Sequence, residues 1–186
     1  MVNLECLETL CGERVDLIPF EEKFISEEYL GWLLDKEVNR FLDVANIPQT
    51  LDSVTSYVRS FAGKEDRFLF AIVCKRTNLH IGNITLQGID WLHKFAWEGI
   101  LIGRKDYWNK GFATESRSLL LSFAFFTLGL HRVLSGAFTS NAGGINSNCK
   151  LGYKTEGILR QHRLLDRKYQ DVIIQGLIKE EFSPVT

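Results

Sequence analysis

The chain is short of the residues that build special-purpose scaffolds. Its four cysteines, Cys6, Cys11, Cys74 and Cys149, form no C-x-x-C pair and have no histidine at metal-ligand spacing. That excludes a zinc or disulfide framework and predicts scattered buried thiols in a reducing compartment, with no metal. There are three prolines, Pro19, Pro48 and Pro184, and no Pro/Gly/Ser-rich tract or repeat, so the 186 residues read as one domain, 1–186. The longest apolar stretch, Leu119–Phe126, is interrupted by Ser122 and is too short to span a bilayer. Met1–Arg14 carries Glu5, Glu8 and Glu13 where a leader or anchor would be apolar. Neither sign of charge dominates, with 22 basic residues against 23 acidic ones, and this argues against a protein that mainly grips nucleic-acid phosphates. Together these absences predict a cytoplasmic protein that engages neither nucleic acid nor membrane.

What is present is a good core: 45% of residues are hydrophobic and 12% aromatic, enough to fold without staples. Arg14–Leu17 reads as a first strand. A helical region runs from Ser26, a plausible N-cap, to about Leu42, and Asp52 caps a second helix through Phe61. The period then changes to that of strands at Phe68–Lys75, His80–Ile89 and Phe95–Ile102, the last two joined as a hairpin through Asp90–Lys94. From Lys110 the pattern is helical to a stop at Gly129. Strand Arg132–Phe138, helix Ala142–Leu151 and two long strands, about Tyr153–Leu164 and Tyr169–Glu180, complete the chain. The order predicts a mixed α/β (α+β) fold, a mostly antiparallel sheet of about seven strands flanked by helices, with one βαβ crossover. In such sheets ligands bind where a strand ends and a helix begins, here Gly103–Ala113.

That junction has the makings of an anion site. The first amides of a helix lack internal acceptors, and the helix dipole favours negative charge beside them. Gly111 permits close approach of backbone to a diphosphate, and Lys110 adds a positive charge. The segment is neither a Walker A loop nor a three-glycine dinucleotide fingerprint. Taken alone, it is equally an ordinary capped helix start.

Read in full, Tyr107-Trp108-Asn109-Lys110-Gly111-Phe112-Ala113-Thr114-Glu115 resembles the pyrophosphate turn of the GNAT N-acetyltransferases. The likeness is to the branch of the RimJ/RimL ribosomal-protein N-terminal acetyltransferases, whose turn often reads Y-W-G-K-G-Y/F-A-T-E. Asn109 stands where Gly is common, and Asn tolerates positive φ better than most residues. The likeness extends along nearly the whole chain. Trp32–Val38 is similar to the branch's W-L-x-D-x-E-V segment, Ile81-Gly82-Asn83-Ile84 to its I-G-x-I strand, and Asn141 through Gly152-Tyr153 to its N-x-x-S…L-G-F/Y element. Glu156-Gly157, Tyr169 and Asp171 are similar to its E-G…Y-x-D ending.

The resemblance implies acetyl-coenzyme A as cosubstrate and no metal. It implies that backbone at Leu101, Ile102 and Gly103 pairs with the pantetheine arm, and that Trp108, Asn109, Lys110, Gly111, Phe112, Ala113 and Thr114 hold the pyrophosphate. Asn141 is implied as a further cofactor contact, although it also suits the cap of the helix it precedes. Trp32, Asp35 and Asn39 fall where the family forms its acceptor cleft, and helix packing explains them equally well.

Attack on the thioester needs a free amine, so a general base is expected. Glu98, on the cofactor strand, is the first candidate, with Asp90 and His93 as alternatives that also read as turn residues. Related sequences carry the acid one position earlier, as A-E-x-G against Ala96-Trp97-Glu98-Gly99, and a one-residue shift exchanges the faces of a strand. The family's usual Ser or Tyr acid positions are Gly144 and Asn148, of which Asn148 can donate a hydrogen bond to sulfur. Arg160, His162, Arg163, Arg167 and Lys168 form a basic cluster that reads as a solvated face.

The expected activity is transfer of acetyl from acetyl-coenzyme A to a primary amine by direct attack in a ternary complex. The acceptor is a small molecule or a peptide, with a protein N-terminal amine favoured and Trp32, Asn39 and Asp90 as its contacts. An amino sugar or polyamine acceptor, or a coenzyme A-binding module without turnover, remain the alternatives. The protein is a monomer or a homodimer on this reading.

Overall fold

A computed structural model describes residues 7–184. Cys6 and Glu5 fall outside the described residues. Eight strands form a single sheet in the order β1-β2-β3-β4-β5-β6-β8-β7. They are β1 (Leu10–Cys11), β2 (Val15–Pro19), β3 (Arg67–Cys74), β4 (Leu79–Asp90), β5 (Phe95–Ile102), β6 (Arg132–Phe138), β7 (Lys154–Leu165) and β8 (Lys168–Ile178). Every neighbouring pair is antiparallel except β5 and β6. The expected mixed α/β plan holds, with the two-residue β1 as an eighth strand. So short an edge pairing has no periodicity to read.

Helices α1 (Glu27–Leu34) and α2 (Leu51–Arg59) cover one face of the sheet, and α3 (Phe112–Ser122) covers the other, with α4 (Ala142–Lys150) beside it. The alternation of β3 explains this sandwich. Phe68, Phe70 and Ile72 pack with Leu120, Leu121, Phe123 and Phe125, whereas Leu69 joins Trp32, Leu33, Val54 and Val58. A strand buried on both faces reads as the unbroken apolar run Phe68–Cys74.

Local chemistry sets the helix ends. Ser26 caps α1 as expected, its hydroxyl accepting from the Tyr29 amide. The helix stops at Leu34, short of Leu42, because the Asp35 carboxylate accepts from the amides of Glu37 and Val38 and offers the backbone a competing turn. Helix α2 is capped by Thr50 rather than Asp52, in a reciprocal box with Ser53. Helix α3 continues through a π turn at Phe123–Thr127 to Gly129, which takes a φ of 69°. The β7–β8 hairpin turns on Asp166 and Arg167, both at positive φ.

The thiols depart from expectation. Cys74 is buried, but Cys11 and Cys149 are exposed.

Candidate active site

Strands β5 and β6 run together only from Phe95 opposite Arg132 to Glu98 opposite Ser135, and then separate. On its other side β5 stays paired with β4 as far as Ile102. From Gly99 onward the β6-facing edge of β5 therefore borders an open cleft. Leu101 and Ile102 line that cleft, together with Trp108, Asn109, Gly111, Phe112, Ala113 and Thr114. A strand edge without a partner is a template for an extended amide-bearing chain.

Beyond the splay the chain makes a short turn and enters α3. Asn109 and Gly111 both take positive φ, 57° and 84°, as the Asn-for-Gly exchange allows. The first internal bond of α3 runs from the Glu115 amide to the Gly111 carbonyl. The amides of Phe112, Ala113 and Thr114 thus precede the helical ladder, beside the cleft that their residues line. The turn is fixed from an unexpected quarter. Arg14, at the start of β2, donates from Nη1 to the Lys110 carbonyl and from Nε to Glu115, and its guanidinium stacks over Phe112. Trp108 anchors the other side, its indole donating to the Ile102 carbonyl at 2.7 Å.

Two of the residues expected at this site lie elsewhere. The Gly103 amide donates to Ile81, and the residue is buried against Trp32, where a Cβ would stand 1.9 Å from the indole. Lys110 contributes its carbonyl to Arg14 and is not part of the cleft wall.

The faces of β5 decide the fate of Glu98. Trp97, Gly99 and Leu101 share the α1/α2 face with Gln87, Thr85 and Asn83 of β4, their partners in register. Ala96, Ile100 and Ile102 pack toward α3, and Glu98 goes with them. Its Oε1 accepts from Arg117 Nε at 3.0 Å, and the two side chains are 1% and 7% exposed. Arg117 Nη1 donates to Ser147 Oγ, which lies 3.2 Å from Thr114 Oγ1. Glu98 still reaches the cleft wall, with its Oε2 unpartnered, but a carboxylate held in an ion pair on the α3 side is a poor base for an acceptor on the α1/α2 side, so that expectation is corrected. The wall carries Trp97 where related sequences carry the acid.

Four more expectations are revised by burial or by local hydrogen bonding. Asn148 is fully buried; its amide donates to Gln175, and it does not line the cleft. Asn39 is buried and donates to the Leu33 carbonyl, finishing α1. Trp32 is buried against Gly103 and the His80 ring. Asp90 is a turn residue, its carboxylate accepting from the amides of Leu92 and His93. Asn141 caps α4 as expected, accepting from the Gly144 amide, and it lines the cleft. A Cβ at Gly144 would stand 2.9 Å from the Asn141 amide nitrogen, which accounts for the missing side chain there.

Sequence reasoning gave no role to Arg14, Arg117 or Asn83. Arg14 and Glu115 lie about a hundred residues apart, and no local pattern joins them. Tyr153 packs in the core, with its hydroxyl buried and unpartnered. Burial pushes the phenol pKa well up, and the Glu98 charge adds to the shift, so it stays protonated.

A strand splay opening onto a free helix N-terminus defines a cleft for an extended, phosphate-bearing acyl donor. The GNAT acetyltransferase domain model matches residues 14–154, and the chain belongs to that family, the acetyl-coenzyme A-dependent N-acyltransferases. Over 181 residues, 95% of its length and 99% of the relative's, it is 28% identical to the uncharacterized N-acetyltransferase p20 of Bacillus licheniformis. Its fold is that of the Vibrio cholerae spermidine N-acetyltransferase in complex with CoA and spermine, with a TM-score of 0.83 at 18% identity, covering 91% of this chain and 98% of that one. It equally matches RimL, a ribosomal L7/L12 alpha-N-protein acetyltransferase in complex with coenzyme A, with a TM-score of 0.82 at 16% identity, covering 92% and 98%. Both likenesses are of fold alone.

Proposed function

We propose that the protein acetylates the α-amine of a peptide or protein N-terminus, as the RimJ/RimL branch does. The observation that carries this reading is that every carboxylate in the cleft wall is already paired. Glu37 is held by Lys105, Asp43 by Arg163 and Glu98 by Arg117. A polyamine needs free carboxylates for its second and third charges. The acceptor face instead offers Trp97, Phe41, Tyr57 and Phe138 with neutral Asn83, Thr85 and Gln87.

The same pairing bears on nucleophile activation. With each carboxylate of the wall held in an ion pair, the acceptor supplies its own free base. An α-amine, with a pKa of about 7.7–8.0, is roughly a tenth deprotonated at pH 7, whereas a lysine-like amine near 10.4 is deprotonated several hundred-fold less. The backbone of Leu101 and Ile102 binds the pantetheine arm, and Asn109, Gly111 and the amides of Phe112, Ala113 and Thr114 bind the pyrophosphate. Asn141 closes the far side of the arm. Ser147 Oγ, receiving a hydrogen bond from Arg117, donates to the thiolate released when the carbon–sulfur bond breaks. Glu98 balances the Arg117 charge.

Release of free coenzyme A thiol with an N-terminally free peptide, spermidine and glucosamine tests the reading. The peptide is expected to exceed the others at least tenfold in kcat/KM, with a rate that is half-maximal near about pH 8 and levels off roughly a unit above it. Faster turnover of spermidine would overturn it.

A further inference from the structure

Asn83 sits on β4 opposite Leu101, at the mouth of the splay and on the acceptor face. Only 5% of it is exposed, yet it lines the cleft beside Tyr29, Thr85 and Trp97. Its Oδ1 lies 2.8 Å from His80 Nε2. An amide oxygen only accepts, so the Nε2 carries the hydrogen. The Asn83 amide nitrogen is buried with no hydrogen-bond partner, a condition that costs about 1–3 kcal/mol. The neighbouring Tyr29 phenol is pushed up by burial, with Tyr57 adding to the shift and the Asn83 amide opposing it, but no hydrogen bond of ordinary geometry joins Asn83 to Tyr29.

His80 is boxed by Phe20, Phe24, Tyr29 and Trp32, with ring centroids 4.9–6.1 Å away. Burial pushes its imidazole pKa down, which keeps the ring neutral. With Oδ1 against His80 Nε2, Asn83 leaves its amide nitrogen as an unpartnered donor on the acceptor face. A donor at this place is unsuited to the attacking nitrogen, since a hydrogen bond to the amine lone pair would block attack. It suits an oxygen close to that nitrogen.

We propose that Asn83 is an acceptor-binding residue whose amide donates to the first carbonyl oxygen of a peptide substrate, with His80 as the positioning residue that aims it. This rests on the N-terminal-amine reading and specifies how the site tells an α-amine from a plain alkylamine.

The test uses two acceptors, an N-terminally free peptide and ethanolamine, which lacks the carbonyl. Asn83→Ala is expected to lower kcat/KM about tenfold for the peptide and less than twofold for ethanolamine, with KM for acetyl-coenzyme A unchanged. Calorimetric titration of each acceptor into the coenzyme A-bound enzyme should show the same selective loss. His80→Phe, which keeps the aromatic packing, should reproduce part of the peptide loss and likewise spare ethanolamine. Equal losses on both acceptors would overturn the assignment and leave the function reading intact. If wild-type enzyme fails to acetylate or bind the peptide, both readings fall.

Discussion

The carboxylate of Glu98 and the guanidinium of Arg117 form an ion pair 3.0 Å long behind the cofactor strand, almost wholly out of solvent. Removing one partner of such a pair strands the other's charge, at roughly 3–5 kcal/mol. Glu98→Ala should therefore lower the urea midpoint severely, and joint replacement by Leu at 98 and Met at 117 should restore much of it. A double-mutant cycle measures the coupling. Glu98→Gln should keep the ascending limb of the pH–rate profile where it is, because that limb belongs to the acceptor amine. Loss of the limb would return Glu98 to the role of base.

Gly111 begins α3 in the left-handed region, with φ at 84°. A Cβ there costs on the order of 1–2 kcal/mol of backbone strain and would stand 3.1 Å from Arg14 Nη2. Gly111→Ala should weaken acetyl-coenzyme A binding about tenfold in calorimetry, and Gly111→Asp should abolish it by adding a negative charge at the pyrophosphate. Undiminished affinity in the Asp variant would remove the turn from the binding site.

Glu115 receives the Arg14 amide, the Arg14 side chain and the Val15 amide. Burial works to raise its pKa, but these hydrogen bonds outweigh it and hold the carboxyl below its usual 4.5. The unfolded chain then binds this proton first as pH falls, so the contribution to stability is complete above about pH 4.5 and is lost on acidification below it. Arg14→Ala should flatten that part of the stability–pH curve. It should also raise the dissociation constant for acetyl-coenzyme A by loosening the turn.

His80 has the same sign for a different reason. Burial depresses its pKa below 6.5, against hydrogen bonds to Asn83 and the Gly82 backbone and the Glu28 charge, all of which raise it. Protonation of the unfolded chain then destabilises the fold progressively as pH drops below about 6.5. His80→Phe should be less sensitive than wild type between pH 6.5 and 5 in thermal unfolding. An unchanged slope would show that the ring is not buried neutral in solution.

The element order was legible because it rests on local chemistry: apolar alternation in β3–β5, the Ser26 cap, the Gly129 stop and the Gly111 turn. The helix expected through Leu42 shows how a single side chain overrides periodicity, since Asp35 draws two amides into its own turn. Trp32 and Asn39 were legible as belonging to the right segment, but their burial was not, because burial depends on Gly103, on His80 and on where α1 ends.

Sequence by itself determined the class of cleft, a strand leading through Trp108–Thr114 into a helix, because hydrogen-bond geometry at a helix start is local. It also raised, through the one-residue shift of Glu98, the question of which face the acid takes. Only the tertiary structure answered it, since a strand's faces acquire meaning when something packs on them. The answer placed Arg117 against Glu98, Arg14 against Glu115 and His80 against Asn83. Those contacts join residues 3 to 101 positions apart, and it is the path of the chain through the fold, which no spacing in the sequence encodes, that brings them together.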